Sequence, residues 1–115
     1  MKAVLLSGDL MVVSRVEGAA KQAGAAIRAV SSAAQAIEAC ESESAEALVI
    51  DLTMLAMDVA ALVDQLRASR GDSMRIIAFG PHVHEDKLAA AREAGCDVVV
   101  SRGQFFSQVA AILSG

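Results

Sequence analysis

The chain has no tryptophan, no tyrosine and only three phenylalanines, Phe79, Phe105 and Phe106. With so few rings it is a poor platform for stacking the bases of single-stranded nucleic acid, and the usual flavin-stacking side chains are missing. Nor does charge favour nucleic acid: 10 basic and 14 acidic residues leave a formal net charge of −4, with both signs spread along the sequence. Cysteine is scarce. Cys40 and Cys96 stand in unrelated segments without CxxC or other metal spacing, and read as two small buried hydrophobes in a reducing, cytoplasmic setting. Long apolar runs are absent as well. The longest fall far short of the roughly 20 residues that span a bilayer, and no basic segment followed by a long apolar stretch opens the chain. Neither a membrane span nor a signal peptide is expected.

What is present is a globular composition. Of 115 residues, 55% are hydrophobic and 21% charged. A chain of this length buries about two thirds of its unfolded surface, enough for a core without disulfides. With no linker, repeat or low-complexity stretch, it reads as a single domain over residues 1–115.

The apolar stretches 3–6, 47–50, 76–79 and 98–100 are continuous and rich in branched side chains, as in strands covered on both faces. Residues 26–30 differ, because Arg28 interrupts them in the manner of an edge strand. Helical spacing fills the intervals. Val12, Val16, Ala19 and Ala23 form one stripe, stopped by Gly24. Ser32 and Gln35 have capping-box spacing before Ala36, Ile37 and Cys40, and Asp58 caps a third helix carrying Leu62, Val63 and Leu66. Leu88 and Ala91 mark a fourth helix closed by Gly95; Phe105, Val109 and Ile112 or Leu113 mark a fifth. The charged run 41–44 reads as a loop. This strict alternation of strand and helix predicts a parallel sheet with helices on both faces.

In such a sheet ligands bind beyond the carboxyl ends of the strands. The loops that matter begin at Ser7-Gly8-Asp9, Asp51-Leu52-Thr53, Gly80-Pro81-His82 and Ser101-Arg102-Gly103. Asp51 ends the buried run Leu48-Val49-Ile50, where an acid must be met by a cation or by backbone N–H groups. It is either a functional carboxylate or the cap of the turn that follows.

The segment from Glu46 to Asp58 resembles the phosphoacceptor region of response-regulator receiver domains, the CheY-like family. There a buried strand ends in the phosphorylated Asp, followed by a Met-Pro-x-Met-Asp-Gly loop; Met54, Met57 and Asp58 match, while Leu55 and Val59 replace Pro and Gly. Residues 89–97 are similar to the family's fourth helix and its Ala-Gly-Ala-Asp turn. The resemblance covers essentially the whole chain and implies a flavodoxin-like α/β fold with strand order 2-1-3-4-5.

It also implies a phosphorylation site, which transfers poorly. The family's two adjacent acids after the first strand, which hold Mg²⁺, fall at Ser7 and Gly8; only Asp9 is acidic. The switch hydroxyl falls at Gly80, the aromatic reporter at Val99, and the phosphoryl-pairing Lys at Arg102, followed by Gly103 where the family has Pro. Asp9 and Asp51 are thus expected to bind Mg²⁺ weakly if at all, and Arg102 is expected to pair with Asp51 and stand in permanently for the metal-and-phosphate state.

The expected function is that of a degenerate pseudo-receiver: a free-standing cytoplasmic signalling module, with no output domain, that works through another signalling protein or a second copy of itself. The alternative is a phosphoaccepting receiver, with Asp9, Asp51, the Thr53 carbonyl and water improvising a metal site. A third reading draws His82, His84 and Asp51 into a metal or small-molecule site, against the simpler reading of two solvated loop histidines. No GxGxxG, P-loop or nucleophile elbow is present, so an enzyme is not expected. Adjacent Phe105 and Phe106 diverge by about 100° on a helix, so one enters the core and the other marks a candidate contact surface.

Overall fold

Apolar and amphipathic segments alternate along the chain, and each adopts the element its period dictates. A computed structural model describes residues 1–54 and 57–114. Its strands are β1 (Lys2–Leu6), β2 (Ala26–Val30), β3 (Ala47–Asp51), β4 (Arg75–Gly80) and β5 (Val98–Ser101). Its helices are α1 (Leu10–Ala23), α2 (Ala33–Ser42), α3 (Val59–Arg70), α4 (Glu85–Ala94) and α5 (Arg102–Ser114), with a single 3₁₀ turn at Gly71–Ser73. The sheet is wholly parallel in the order β2-β1-β3-β4-β5, as the receiver resemblance implies.

The local signals behave as their chemistry requires. Gly24 and Gly95 take left-handed backbone (φ 71° and 99°) and close α1 and α4. Ser32 Oγ accepts from Gln35 N–H at 3.2 Å, and Asp58 Oδ1 accepts from Ala61 N–H at 3.0 Å. Alternate strand side chains feed two cores. Val4, Leu6, Leu48, Ile50 and Ile76 pack under α2, α3 and α4; Leu5, Val49, Ile77 and Phe79 pack under α1 and α5. Each fully buried Leu, Ile or Phe contributes on the order of 1.5–3 kcal/mol.

The amino end of the sheet is cross-linked by two arginines of α3. Arg67 donates to the carbonyls of Gly71 (3.1 Å), Met74 (2.7 Å) and Gly95 (3.3 Å) and pairs with Asp97 at 2.8 Å. Arg70 donates to the carbonyls of Cys40 and Ala45, both at 2.7 Å. Five carbonyls at the entries to β3, β4 and β5 are thereby satisfied. Asp97 Oδ2 also accepts from Ile76 N–H at 2.7 Å. Partial burial disfavours ionised Asp97, but that N–H and the Arg67 guanidinium outweigh it and hold the carboxyl below its ordinary range.

Several expectations need correction. β5 is not covered on both faces: all four residues are half-exposed, because it is an edge strand. In α1 the fully buried stripe is Val12, Val16 and Ala20; Ala19 packs half-buried against the same core and Ala23 is half-buried. Glu41 and Ser42 complete the last turn of α2 instead of forming a loop; the turn begins at Glu43. Cys40 is buried but Cys96 is only half-buried. Leu55, one of the departures from the receiver loop, lies outside the described residues.

Candidate functional site

At the carboxyl end, Asp51 and Ser7 are the two buried polar side chains among the described residues, 1% and 4% exposed. They face each other across the β1–β3 pair. Ser7 Oγ donates to Asp51 Oδ2 at 2.7 Å, while Asp51 Oδ1 accepts from Thr53 N–H at 3.0 Å and Thr53 Oγ1 at 2.7 Å. The carboxylate is therefore met by two hydroxyls and one backbone N–H, with no cation. Asp51 caps its own turn, as one reading of the sequence has it, and does so as a deeply buried acid. Short hydrogen bonds to a carboxylate are the strong kind, and these are what compensate its burial.

Asp9 is engaged elsewhere. Its Oδ1 caps α1, accepting from Met11 N–H (2.8 Å) and Val12 N–H (3.3 Å), and its own N–H donates to Ser7 Oγ at 3.1 Å. Ser7 thus links the two acids without either touching a cation through it.

The expected Asp51–Arg102 pair does not form. Arg102 lies nearest Asp9, with Nη1 at 3.9 Å from Oδ2, and near the Phe106 ring, with its guanidinium carbon 5.8 Å from the centroid. The cause is local. Ser101 Oγ accepts from Gln104 N–H (3.2 Å) and Gln104 Oε1 accepts from Ser101 N–H (3.0 Å), a capping box that starts α5 directly at the end of β5. Arg102 is consequently the first helical residue and turns outward with α5. All peptide bonds of the described residues, including Arg102–Gly103, are trans.

At Gly80 a Cβ would stand 3.3 Å from Leu52 Cβ and 3.7 Å from Leu52 Cδ1, tight contacts for the position to which the switch hydroxyl maps. Val99 packs half-buried against the α2–α4 core. His82 is exposed and His84 half-buried at the start of α4, where its carbonyl accepts from Lys87 and Leu88 N–H. His84 Nδ1 is buried and has no partner among the described residues. The structure does not gather His82, His84 and Asp51, and no group of three or more potential metal ligands occurs among the described residues.

Phe105 is fully buried and cannot serve as contact surface; it stacks on Phe79 with centroids 4.3 Å apart. Phe106 stays half-exposed, edge-on to both rings. Its face carries a residue that sequence reasoning missed: the Arg15 guanidinium carbon lies 3.9 Å from the ring centroid. Nothing in the spacing of α1 announces this contact, because its partner is on the last helix. Neither thiol offers a nucleophile at neutral pH. Burial pushes both Cys40 and Cys96 up to about 11.

No protein-family model and no curated protein matches the sequence. Solved structures do match. The receiver domain of a sensor histidine kinase from Pseudomonas aeruginosa, solved with a magnesium ion coordinated in its active-site cleft, aligns over 97% of this chain and 93% of its own, with a TM-score of 0.82 and 17% identity. The receiver domain of NtrX from Brucella abortus aligns over 97% and 93%, with a TM-score of 0.81 and 14% identity. A Francisella response-regulator receiver domain aligns over 98% and 95%, with a TM-score of 0.76 and 15% identity. With the observed strand order, these likenesses establish that the chain has the flavodoxin-like fold of response-regulator receiver domains.

Proposed function

We propose that this domain is a receiver-like signalling module that acts through protein–protein interaction, without a working phosphorylation switch and without enzymatic activity. The observation that carries this reading is the hydrogen bond from Ser7 to Asp51. Where the resemblance expects a Mg²⁺-binding acid, a hydroxyl occupies the acceptor's own oxygen.

Mg²⁺ takes near-octahedral oxygen ligands, usually including one or two carboxylates. Here Ser7 and Thr53 engage both oxygens of Asp51, Gly8 has no side chain, and Asp9 caps α1. The donor set does not fit the ion. Preorganised positive charge is also most of what phosphoryl transfer requires, and Arg102 is held away from Asp51 by the α5 capping box.

Binding to a partner is favoured by the surface around the same edge. Leu10, Met11 and Val83 are 84%, 71% and 70% exposed, an unusual load of apolar side chains on the loops and helix start that crown the sheet. The partner is another signalling protein or a second copy.

A two-dimensional amide NMR spectrum, titrated with Mg²⁺ and then with Mg²⁺ plus beryllofluoride, tests the reading. Unmoved amides at Asp51, Gly80 and Arg102 are the expected result. Saturating shifts there would restore the alternative, a phosphoaccepting receiver using Asp51.

A further inference from the structure

All three aromatic rings of the chain gather in one place, and two arginines converge on the exposed one. Arg15 of α1 stacks on Phe106 at 3.9 Å and Arg102 of α5 stands 5.8 Å from the same ring. Their guanidinium carbons are therefore less than about 10 Å apart, within one screening length at 0.1 M salt. Arg15 makes no hydrogen bond or ion pair among the described residues. Arg102 has only Asp9, at 3.9 Å and with both side chains about two-fifths exposed, which contributes little. Three other arginines have their donors engaged: Arg67 and Arg70 with carbonyls, and Arg28 with Glu43 at 3.0 Å.

The two guanidinium forks line an open cleft of about 620 Å³ whose other walls are Pro81, His82, Gly103, Phe106 and Ser107. Its walls mix ring and pyrrolidine surface with N–H and O–H donors. No acid lies on α5 or at the helical neighbours of Arg15, Met11, Val12, Gly18 and Ala19. Two like charges held this close, with the long and solvent-screened contact from Asp9 to Arg102 as their counter-charge, favour an anion that bridges them. A carboxylate satisfies one guanidinium fork; a tetrahedral oxyanion has oxygens enough for two and for the first N–H groups of α5.

We propose that this cleft binds a phosphate monoester with an apolar or aromatic body, its phosphate between Arg15 and Arg102 and its body against Phe106 and Pro81. The site is separate from Asp51, which does not line it. The inference does not depend on whether Asp51 accepts a phosphoryl group, and it provides a way for a diffusible metabolite to control the module.

Amide NMR titration with phenyl phosphate, inorganic phosphate and phenol tests this at low and high salt. In the native chain, phenyl phosphate is expected to produce saturating shifts at Gly103, Phe106 and Ser107, with inorganic phosphate binding the same place more weakly and phenol not binding. Arg15→Ala and Arg102→Ala are each expected to weaken phenyl phosphate about tenfold, and Arg102→Lys less, since a single ammonium retains the charge but not the fork. Both arginines are solvent-accessible, so the variants should keep a native spectrum. Non-saturating shifts in the native chain, equal binding of phenol, or undiminished binding in the Arg15→Ala/Arg102→Ala double variant would overturn the proposal. Shifts centred on Asp51 and Thr53 instead would place phosphate at the receiver acceptor and overturn it equally.

Discussion

At the amino end of the sheet, Arg67 and Arg70 are engaged in carbonyl contacts that tie α3 to the entries of β3, β4 and β5. At the carboxyl end, Arg15 and Arg102 lie on one aromatic ring with their donors largely free, beside exposed Leu10, Met11 and Val83. The same residue type is structural at one end and available at the other. Loops at the amino end close the fold and require satisfied backbone groups; loops at the carboxyl end are where an open α/β sheet places its ligands. Asp51 is the exception on the carboxyl side, a charge buried as thoroughly as any core residue and satisfied from within the chain.

The largest break in this contrast is expected from Arg67→Ala, which removes hydrogen bonds from a charged donor to three carbonyls and to Asp97. Urea denaturation should show a loss of about 2–3 kcal/mol, whereas Arg15→Ala should stay within about 0.5 kcal/mol. Next is Ser7→Ala, which strips a hydroxyl from the buried Asp51 carboxylate and should cost about 1–2 kcal/mol in the same assay. Gly80→Ala should cost about 1 kcal/mol, because its Cβ presses on Leu52; a stabilised variant would show that Leu52 yields freely.

The smallest effect sharpens the amino end. Asp97 has a lowered folded pKa, so its contribution is complete above the unfolded value near 4 and fades as pH falls through the folded value. Asp97→Asn should therefore be less stable than the native chain at neutral pH by under about 1 kcal/mol, and the two stability curves should converge in acid. Divergence on acidification would contradict the assigned direction.

Much of the fold was legible because period alone separates these elements. Ala47–Asp51 is continuous and branched, α3 repeats at helical spacing behind Asp58, and Gly24 and Gly95 mark stops that the backbone requires. Asp51 was legible as the last residue of a buried strand. Its partners were not. Ser7 lies 44 residues away, and only strand pairing brings its hydroxyl to the carboxylate. The misplaced Arg102 is more instructive. The receiver resemblance pointed it at Asp51, yet Ser101 and Gln104 have the same spacing as the capping pair Ser32 and Gln35, and that local signal decides where α5 starts. Local capping prevailed over a long-range ion pair because it forms without ordering distant elements. Arg15 gave no such sign, since its contact depends on how α1 and α5 pack.

The central claim is that the Ser7 hydroxyl has taken the place of a metal-binding acid beside Asp51. The most direct measurement is the urea midpoint of the native chain and of Ser7→Asp, with and without millimolar Mg²⁺ at matched ionic strength. The native midpoint should not respond to Mg²⁺, while Ser7→Asp, with two acids crowded in one buried site, should be destabilised without the ion and recover as it is added. A saturable Mg²⁺-dependent rise in the native midpoint would mean that Asp51 still holds a metal in the presence of Ser7, and would contradict the account.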